Sequence, residues 1–325
     1  MSAIEIVIRP RESMTWEEFC EKTPPRSIAL DGMVRGGPRW DETTLHVNFD
    51  HHEGVMREAT MSTAMQVYFA IKAGLLERFG GQAQVWVNDA DQDTTLACWL
   101  LRRYKQFTGT QSHPVVSRVL TLNDRWDVTG GAFPMSLDDQ IVRQHCWVFS
   151  PYTDLRKSGE LARAGEAIIR NTLEAVFHNL DMLWLGQAEE RELDTRHEIL
   201  YTSPRFGFRI VDEIGGNEAR YHLFSKGMLD DGYLSIVARR PDGRFVYTIG
   251  RPSPYVDFPV QDFYRDLNEA EGLTAENGWN GSNLVGGSSR LRGSGLPWET
   301  IRDILEACLE RRQTTRASHV QAVHQ

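Results

Sequence analysis

Three carboxylates on alternate positions, Asp89, Asp91 and Asp93, follow one apolar run of this chain, and Asp50-His51-His52 follows another. Carboxylates this close repel one another unless water or a cation neutralises them. Imidazoles nearby would complete a mixed oxygen and nitrogen donor set of the kind that holds a divalent metal, and such a set favours manganese over magnesium. Asp31 ends a third run, while Asp124 and Asp127 lie further on and can each supply an oxygen. Adjacent histidines point in different directions, so His51 can bind metal while His52 meets a substrate. Asp50 can orient an imidazole from behind. The plainer alternatives are a solvated acidic turn, a surface histidine pair and, for Asp124 and Asp127, a helix cap. An EF-hand is excluded, because the positions that need Gly and Glu hold Thr94 and Leu100. His46, His113, His145, His178, His197 and His222 show no metal-ligand spacing and are taken as structural.

The elements that must position these residues are legible as an alternation. Short β-prone runs cover Ile4–Ile8, Ser27–Leu30, Leu45–Phe49 and Ala83–Val87, with a glycine-rich loop after Asp31. Apolar residues at helical spacing mark Met61–Phe79, stopped by Gly80-Gly81, and Thr94–Phe107. Short buried strands alternating with amphipathic helices predict a parallel α/β sheet. Ligands of such sheets sit outside the carboxyl ends of the strands, where the polar residues above fall. Residues 136–194 read as mostly helical. Beyond them, Ile199–Tyr201, Phe208–Val211, Tyr221–Phe224, Tyr233–Val237 and Phe245–Ile249 read as strands, with a hairpin turn at Pro241-Asp242-Gly243. Helices are expected near Val260–Ala270 and Trp298–Glu310. The division that follows is a metal-binding domain over 1–135, a helical connector over 136–194, a smaller mixed α/β domain over 195–312 and a frayed tail over 313–325.

The bulk properties restrict the function classes. With 325 residues, 41% hydrophobic and 25% charged, the chain suits two folded domains. A net charge of −9 argues against an obligate binder of long nucleic acid, while a bound metal can still attract a small anion. The four cysteines (Cys20, Cys98, Cys146, Cys308) have neither C-x-x-C nor zinc-finger spacing, so reduced thiols are expected. The N-terminus has no apolar stretch of signal-peptide length, and no segment reaches the roughly 18 apolar residues of a membrane span. A cytoplasmic protein is the expectation.

Asp31 after a strand, followed by Asp50-His51-His52 after the next, resembles two motifs of the DHH phosphoesterase superfamily. Asp89-x-Asp91-x-Asp93 entering a helix resembles that family's first motif in its RecJ-like form, and the segment around Asp124 and Asp127 resembles the fourth. The resemblance covers roughly residues 27 to 130. The order departs from the family, where the alternating-aspartate motif comes before DHH. What the resemblance implies is an active site in a cleft between two domains. There Asp31, His51, Asp91, Asp93 and Asp124 or Asp127, with Asp89 a further candidate, hold two manganese or magnesium ions, and Asp31 bridges them. His52 would act near the phosphoryl group.

The segment Gly278–Arg290 is glycine-dense enough to predict a tight loop, able to present backbone N–H groups to an anion. It is not a Walker A loop, because no Gly-Lys-Ser/Thr follows. In placement it is similar to the glycine-rich substrate motif of the DHH-associated C-terminal domain, with Ser288 where that motif has histidine. Gly286, Gly287, Ser288, Ser289, Arg290 and Arg292 are therefore the expected substrate contacts, with a purely structural loop as the alternative. Three functions follow. The first is a metal-dependent phosphoesterase acting on a phosphate ester, dinucleotide or short oligonucleotide, with no long duplex and no membrane as partner. The second is a DHH-like nucleotide sensor without hydrolysis, and the third an interaction protein whose acidic cluster is incidental. An oligomer is compatible with each.

Overall fold

The computed structural model describes residues 4–289 and 292–323, and the chain forms two compact units. The first comprises residues 1–128 and 136–193, and the second comprises 129–135 and 194–325. The helices expected to form a separate connector are thus part of the first unit. Both sheets are mixed, so the class is α/β, with parallel pairing dominant in the first sheet and limited to one pair in the second.

The strands of the first unit are β1 (Ile4–Ile8), β2 (Ser27–Leu30), β3 (Arg39–Asp41), β4 (His46–Phe49) and β5 (Ala83–Val87). Its helices are α1 (Trp16–Lys22), α2 (Thr63–Lys72), α3 (Leu75–Arg78), α4 (Gln92–Arg102), α5 (Tyr104–Phe107), α6 (Pro114–Val128), α7 (Gln140–Val148), α8 (Ser150–Lys157) and α9 (Glu166–Trp184). The sheet order is β1-β5-β2-β4-β3; β3 alone runs antiparallel, at the edge. That edge strand falls inside the stretch expected to be loop.

Every residue of β2 and β4 is buried, as strands covered on both faces require. Ile28, Leu30, Val85 and Val87 face the main core, while Ala29 and Trp86 face Trp16 and Phe19 of α1. The single helix expected over Met61–Phe79 is two, because Gly74 takes φ 89°, a left-handed conformation that ends α2. α2 packs on α4. From β2 the chain passes to β4 on one side, then crosses through α2 and α3 to β5 on the other side. β2 is therefore a switch point, and its carboxyl end, with those of β4 and β5, opens a crevice.

The second unit contains β6 (Glu198–Thr202), β7 (Arg209–Asp212), α10 (Asn217–Ser225), β8 (Tyr233–Arg239), β9 (Phe245–Gly250), α11 (Val260–Glu271), β10 (Asn280–Gly281), β11 (Val285–Gly287) and α12 (Trp298–Val323). The sheet order is β10-β11-β9-β8-β7-β6, with only β7 and β8 parallel, joined through α10. Phe208, Ile210, Leu234, Ile236 and Ile249 pack with Phe263 and Leu267 of α11 and Ile301 and Leu305 of α12. The expected hairpin joins β8 to β9, closed by Gly243 N–H to Arg240 C=O.

Two expectations are corrected here. Tyr221–Phe224 lies in the second half of α10 rather than in a strand; six of the nine residues of that helix are buried, Glu218 and Arg220 among them, so its apolar pattern does not display a helical period. The tail expected to fray from residue 313 continues α12 as far as Val323. Among the described residues no helix is long and apolar enough to cross a membrane.

Candidate metal centre

β2 ends at Asp31, which adopts φ 50°, a left-handed conformation unusual for a residue with a side chain. Its carboxylate is held from two helices. Thr63 Oγ1 donates to Oδ1 at 3.0 Å and Thr94 Oγ1 to Oδ2 at 3.2 Å. The Asp91 carboxylate is close enough that each acid shifts the titration of the other. Asp91 caps α4 by accepting the Thr94 N–H at 2.8 Å.

Asp93, one residue inside α4, points across to the start of α2. Its two oxygens accept the N–H groups of Thr63 (2.6 Å) and Ala64 (3.0 Å), and Asn123 Nδ2 adds a third donor at 2.9 Å. These are unpaired amides of a helix N-terminus, whose dipole favours an anion. The Ser62 N–H is taken by Asp124 Oδ1 at 2.7 Å.

At the end of β4, Asp50 Oδ1 accepts the backbone N–H groups of His51 (2.7 Å) and His52 (3.1 Å) and lies 2.7 Å from His52 Nδ1. Gln66 Nε2 donates to Asp50 C=O at 3.0 Å, which pins this turn to α2. The His51 ring is fully buried. Its Nε2 lies 2.7 Å from Asp127 Oδ2, 3.7 Å from Asp31 Oδ1 and 3.9 Å from Asp93 Oδ2. His52, with 41% of its side chain exposed, lies 3.5 Å from Asp31 Oδ1.

Two groups of three donors follow: Asp31, His51 and His52, and His51, Asp93 and Asp127, each with its ligand atoms within 4.8 Å of one another. Several of these atoms are buried without a hydrogen-bond partner, namely both His51 ring nitrogens, Asp127 Oδ2 and Asp50 Oδ2. Buried lone pairs left unsatisfied are costly, and converging oxygen and imidazole donors are what a divalent ion coordinates. The donor set therefore fits a metal.

Electrostatics agree. Burial, then the Asp127, Asp31 and Asp91 carboxylates, push Asp93 well above the usual carboxylate range. Burial, then Asp31 and Asp127, push Asp91 up to about 7. Burial also raises Asp31 and Asp124. Burial and the Arg57 guanidinium push His51 down, while Asp127 falls below its ordinary value because His51 and Arg57 outweigh the burial that opposes its charge. Burial opposes charge on His52 as well, but Asp31 and the Asp50 hydrogen bond outweigh it and raise the ring to about 9. Too many carboxylates share too little positive charge, which a divalent cation would correct.

The structure thus brings together Asp31, Asp50, His51, His52, Asp91, Asp93 and Asp127. Asp50, Asp89, Asp91 and Asp124 stand outside both donor groups, although Asp91 was an expected ligand; Asp89 accepts the N–H of its neighbour Ala90 at 2.7 Å. Thr63, Thr94, Asn123 and Arg57 also serve the centre and were not anticipated. The only signals were Ser62-Thr63 opening a helix and Asn123 sitting beside Asp124.

The segment expected to be one tight loop contains a short hairpin, β10 to β11. Gly286 and Gly287 belong to β11, hydrogen-bonded between β10 and β9. A Cβ on Gly287 would lie 2.1 Å from Tyr247 C=O, so close strand packing explains that glycine. Ser288 serves the same sheet, its Oγ accepting the Tyr247 N–H at 3.0 Å. Ser289 Oγ accepts the Arg292 N–H at 3.2 Å; Arg292 is exposed, and Arg290 lies outside the described residues. Comparison with protein-family models, with curated proteins and with solved structures finds no match to this chain.

Proposed function

We propose that this chain is a divalent-metal phosphoesterase of DHH-like type, acting on a small phosphate ester, dinucleotide or short oligonucleotide. The observation that carries the reading is the convergence of Asp31, His51, Asp93 and Asp127 at the carboxyl edge of three parallel strands, with His52 beside them. An imidazole nitrogen has one lone pair, so His51 would serve a single ion. Asp31, with Oδ1 3.7 Å from His51 and 3.5 Å from His52, would be a carboxylate ligand beside it. Asp93 and Asp127 complete the side on which His51 lies.

Manganese or magnesium held by these residues would supply an activated water and stabilisation of the leaving oxygen. The remaining work is the protein's own. Asp50 fixes the His52 ring through Nδ1, and the raised value of His52 keeps it protonated near neutrality. An exposed, protonated imidazole at the rim can donate to a phosphoryl oxygen or protonate the leaving group. The N-terminus of α2, through Thr63 and Ala64, spreads the charge of Asp93 and holds it in place.

The test is a screen of manganese-loaded protein against aryl phosphodiesters, phosphomonoesters, dinucleotides and short oligonucleotides, with Asp93→Asn as control. Manganese-dependent turnover absent from the control supports the reading. Nucleotide binding without turnover would replace hydrolysis with a sensor role. Failure to bind manganese would remove the metal centre.

A further inference from the structure

Resting on the metal-centre reading above, we infer that Arg57 is a positioning residue that holds Asp127 against His51 and so controls one of two ions. Arg57 lies five positions beyond His52 on a single 3-10 turn, Arg57–Ala59, and only 7% of its side chain is exposed. Its Nε donates to Val128 C=O at 3.1 Å and its Nη2 to Asp127 C=O at 2.9 Å. These are the last two residues of α6, whose final carbonyls have no partner within the helix and carry the negative end of its dipole. The same Nη2 is 3.8 Å from Asp127 Oδ1, while Oδ2 of that carboxylate faces His51 at 2.7 Å.

One planar fork thus hydrogen-bonds the α6 backbone at Asp127 and Val128 and sets its charge 3.8 Å from the Asp127 carboxylate. It comes from the loop that leaves the Asp50-His51-His52 turn. A buried arginine capping an ordinary helix would need neither this carboxylate nor this loop. Lysine cannot reproduce the fork, because its ammonium is a single point on a flexible stem. Partners that hold a metal ligand in place are worth about 10–100-fold in metal affinity.

The experiment is manganese titration of the full chain by calorimetry and electron paramagnetic resonance, on wild type, Arg57→Lys and Arg57→Ala. Wild type should bind two ions with an exchange-coupled spectrum. Both variants should bind one of the two about 10–100-fold more weakly and show the spectrum of an isolated ion. Millimolar guanidinium should restore the second ion to Arg57→Ala. If Arg57→Ala does not fold, Arg57→Lys decides. Two ions of unchanged affinity in the variants overturn this inference alone. Equal loss of both ions, unmoved by guanidinium, also overturns it, as general damage. Wild type that binds no manganese overturns the parent reading and this one with it.

Discussion

His51 Nε2 and Asp127 Oδ2 stand 2.7 Å apart, both atoms buried. Both atoms are also in one of the donor groups that could hold a cation, so the pair can be a charge-assisted contact without an ion and a pair of ligands with one.

Asp93→Asn should remove manganese from the side of the centre that contains His51 and Asp127. The amide also turns an NH2 toward the N–H of Thr63 or Ala64, where an acceptor is needed. Leaving a buried donor unsatisfied costs about 1–3 kcal/mol. Elemental analysis should read one ion fewer per chain, and chelated protein should unfold at lower denaturant. Unchanged metal content would remove Asp93 from the ligand set.

Metal should stabilise the chain more as pH rises. An acid whose value is raised by folding lends stability below its unfolded value and loses it as pH climbs through the folded one. For Asp91 that loss runs from 3.8 to about 7, and for His52 from 6.5 to about 9. Asp127, held low, titrates below this window. Chelated protein should therefore weaken across the range, whereas a divalent cation favours the ionised Asp91 and offsets that part of the loss. The difference in unfolding midpoint with manganese and with chelator should be wider at pH about 8 than at about 5. A constant difference would contradict the shared-carboxylate picture.

His52→Ala should lower kcat by about 10²–10⁴-fold while metal content stays at the wild-type value, as expected for loss of a proton donor. Asp50→Asn should lower kcat less, because the ring remains but its orientation and charge are no longer fixed. Both are measured on one aryl phosphodiester at saturating manganese. A change confined to KM would make His52 a binding group only.

Gly287→Ala should destabilise the second unit by about 1–3 kcal/mol, the usual range for overpacking. The cause is the 2.1 Å approach to Tyr247 C=O. Denaturant unfolding measures the loss, and manganese stoichiometry should not change. Wild-type stability would mean that β9 and β11 can part without penalty.

Short substrates should be processed faster than long duplex DNA. The net charge of −9 provides no broad attraction for a polymer, whose binding depends on releasing many counterions. Turnover of a dinucleotide, a short single strand and a long duplex in the same salt compares them directly.

The three acidic strand ends were legible because each follows a run of buried strand residues, and in a parallel sheet such ends converge. Asp31, Asp50 and Asp93 are brought together on that logic despite the unusual motif order. Thr63, Asn123 and Arg57 were not legible, because their roles exist only once α2 lies across α4 and α6 ends beside the Arg57 turn. No local pattern announces those meetings. Tyr221–Phe224 was misread because a short helix buried over most of its length has the same pattern as a buried strand. Gly286 and Gly287 were misread because glycine that admits a neighbouring strand looks, in sequence, like glycine that makes a loop.

The place of β5 between β1 and β2 has a consequence for synthesis. Until Ala83–Val87 has left the ribosome, the facing edges of β1 and β2 have nothing to pair with, and exposed edges of that kind invite wrong partners. Asp31 has by then been made, but Asp91, Asp93 and Asp127 have not. A nascent chain stopped at α3 would carry DHH without a place to use it. The donor cluster therefore cannot assemble until β5 arrives and α6 is completed behind it.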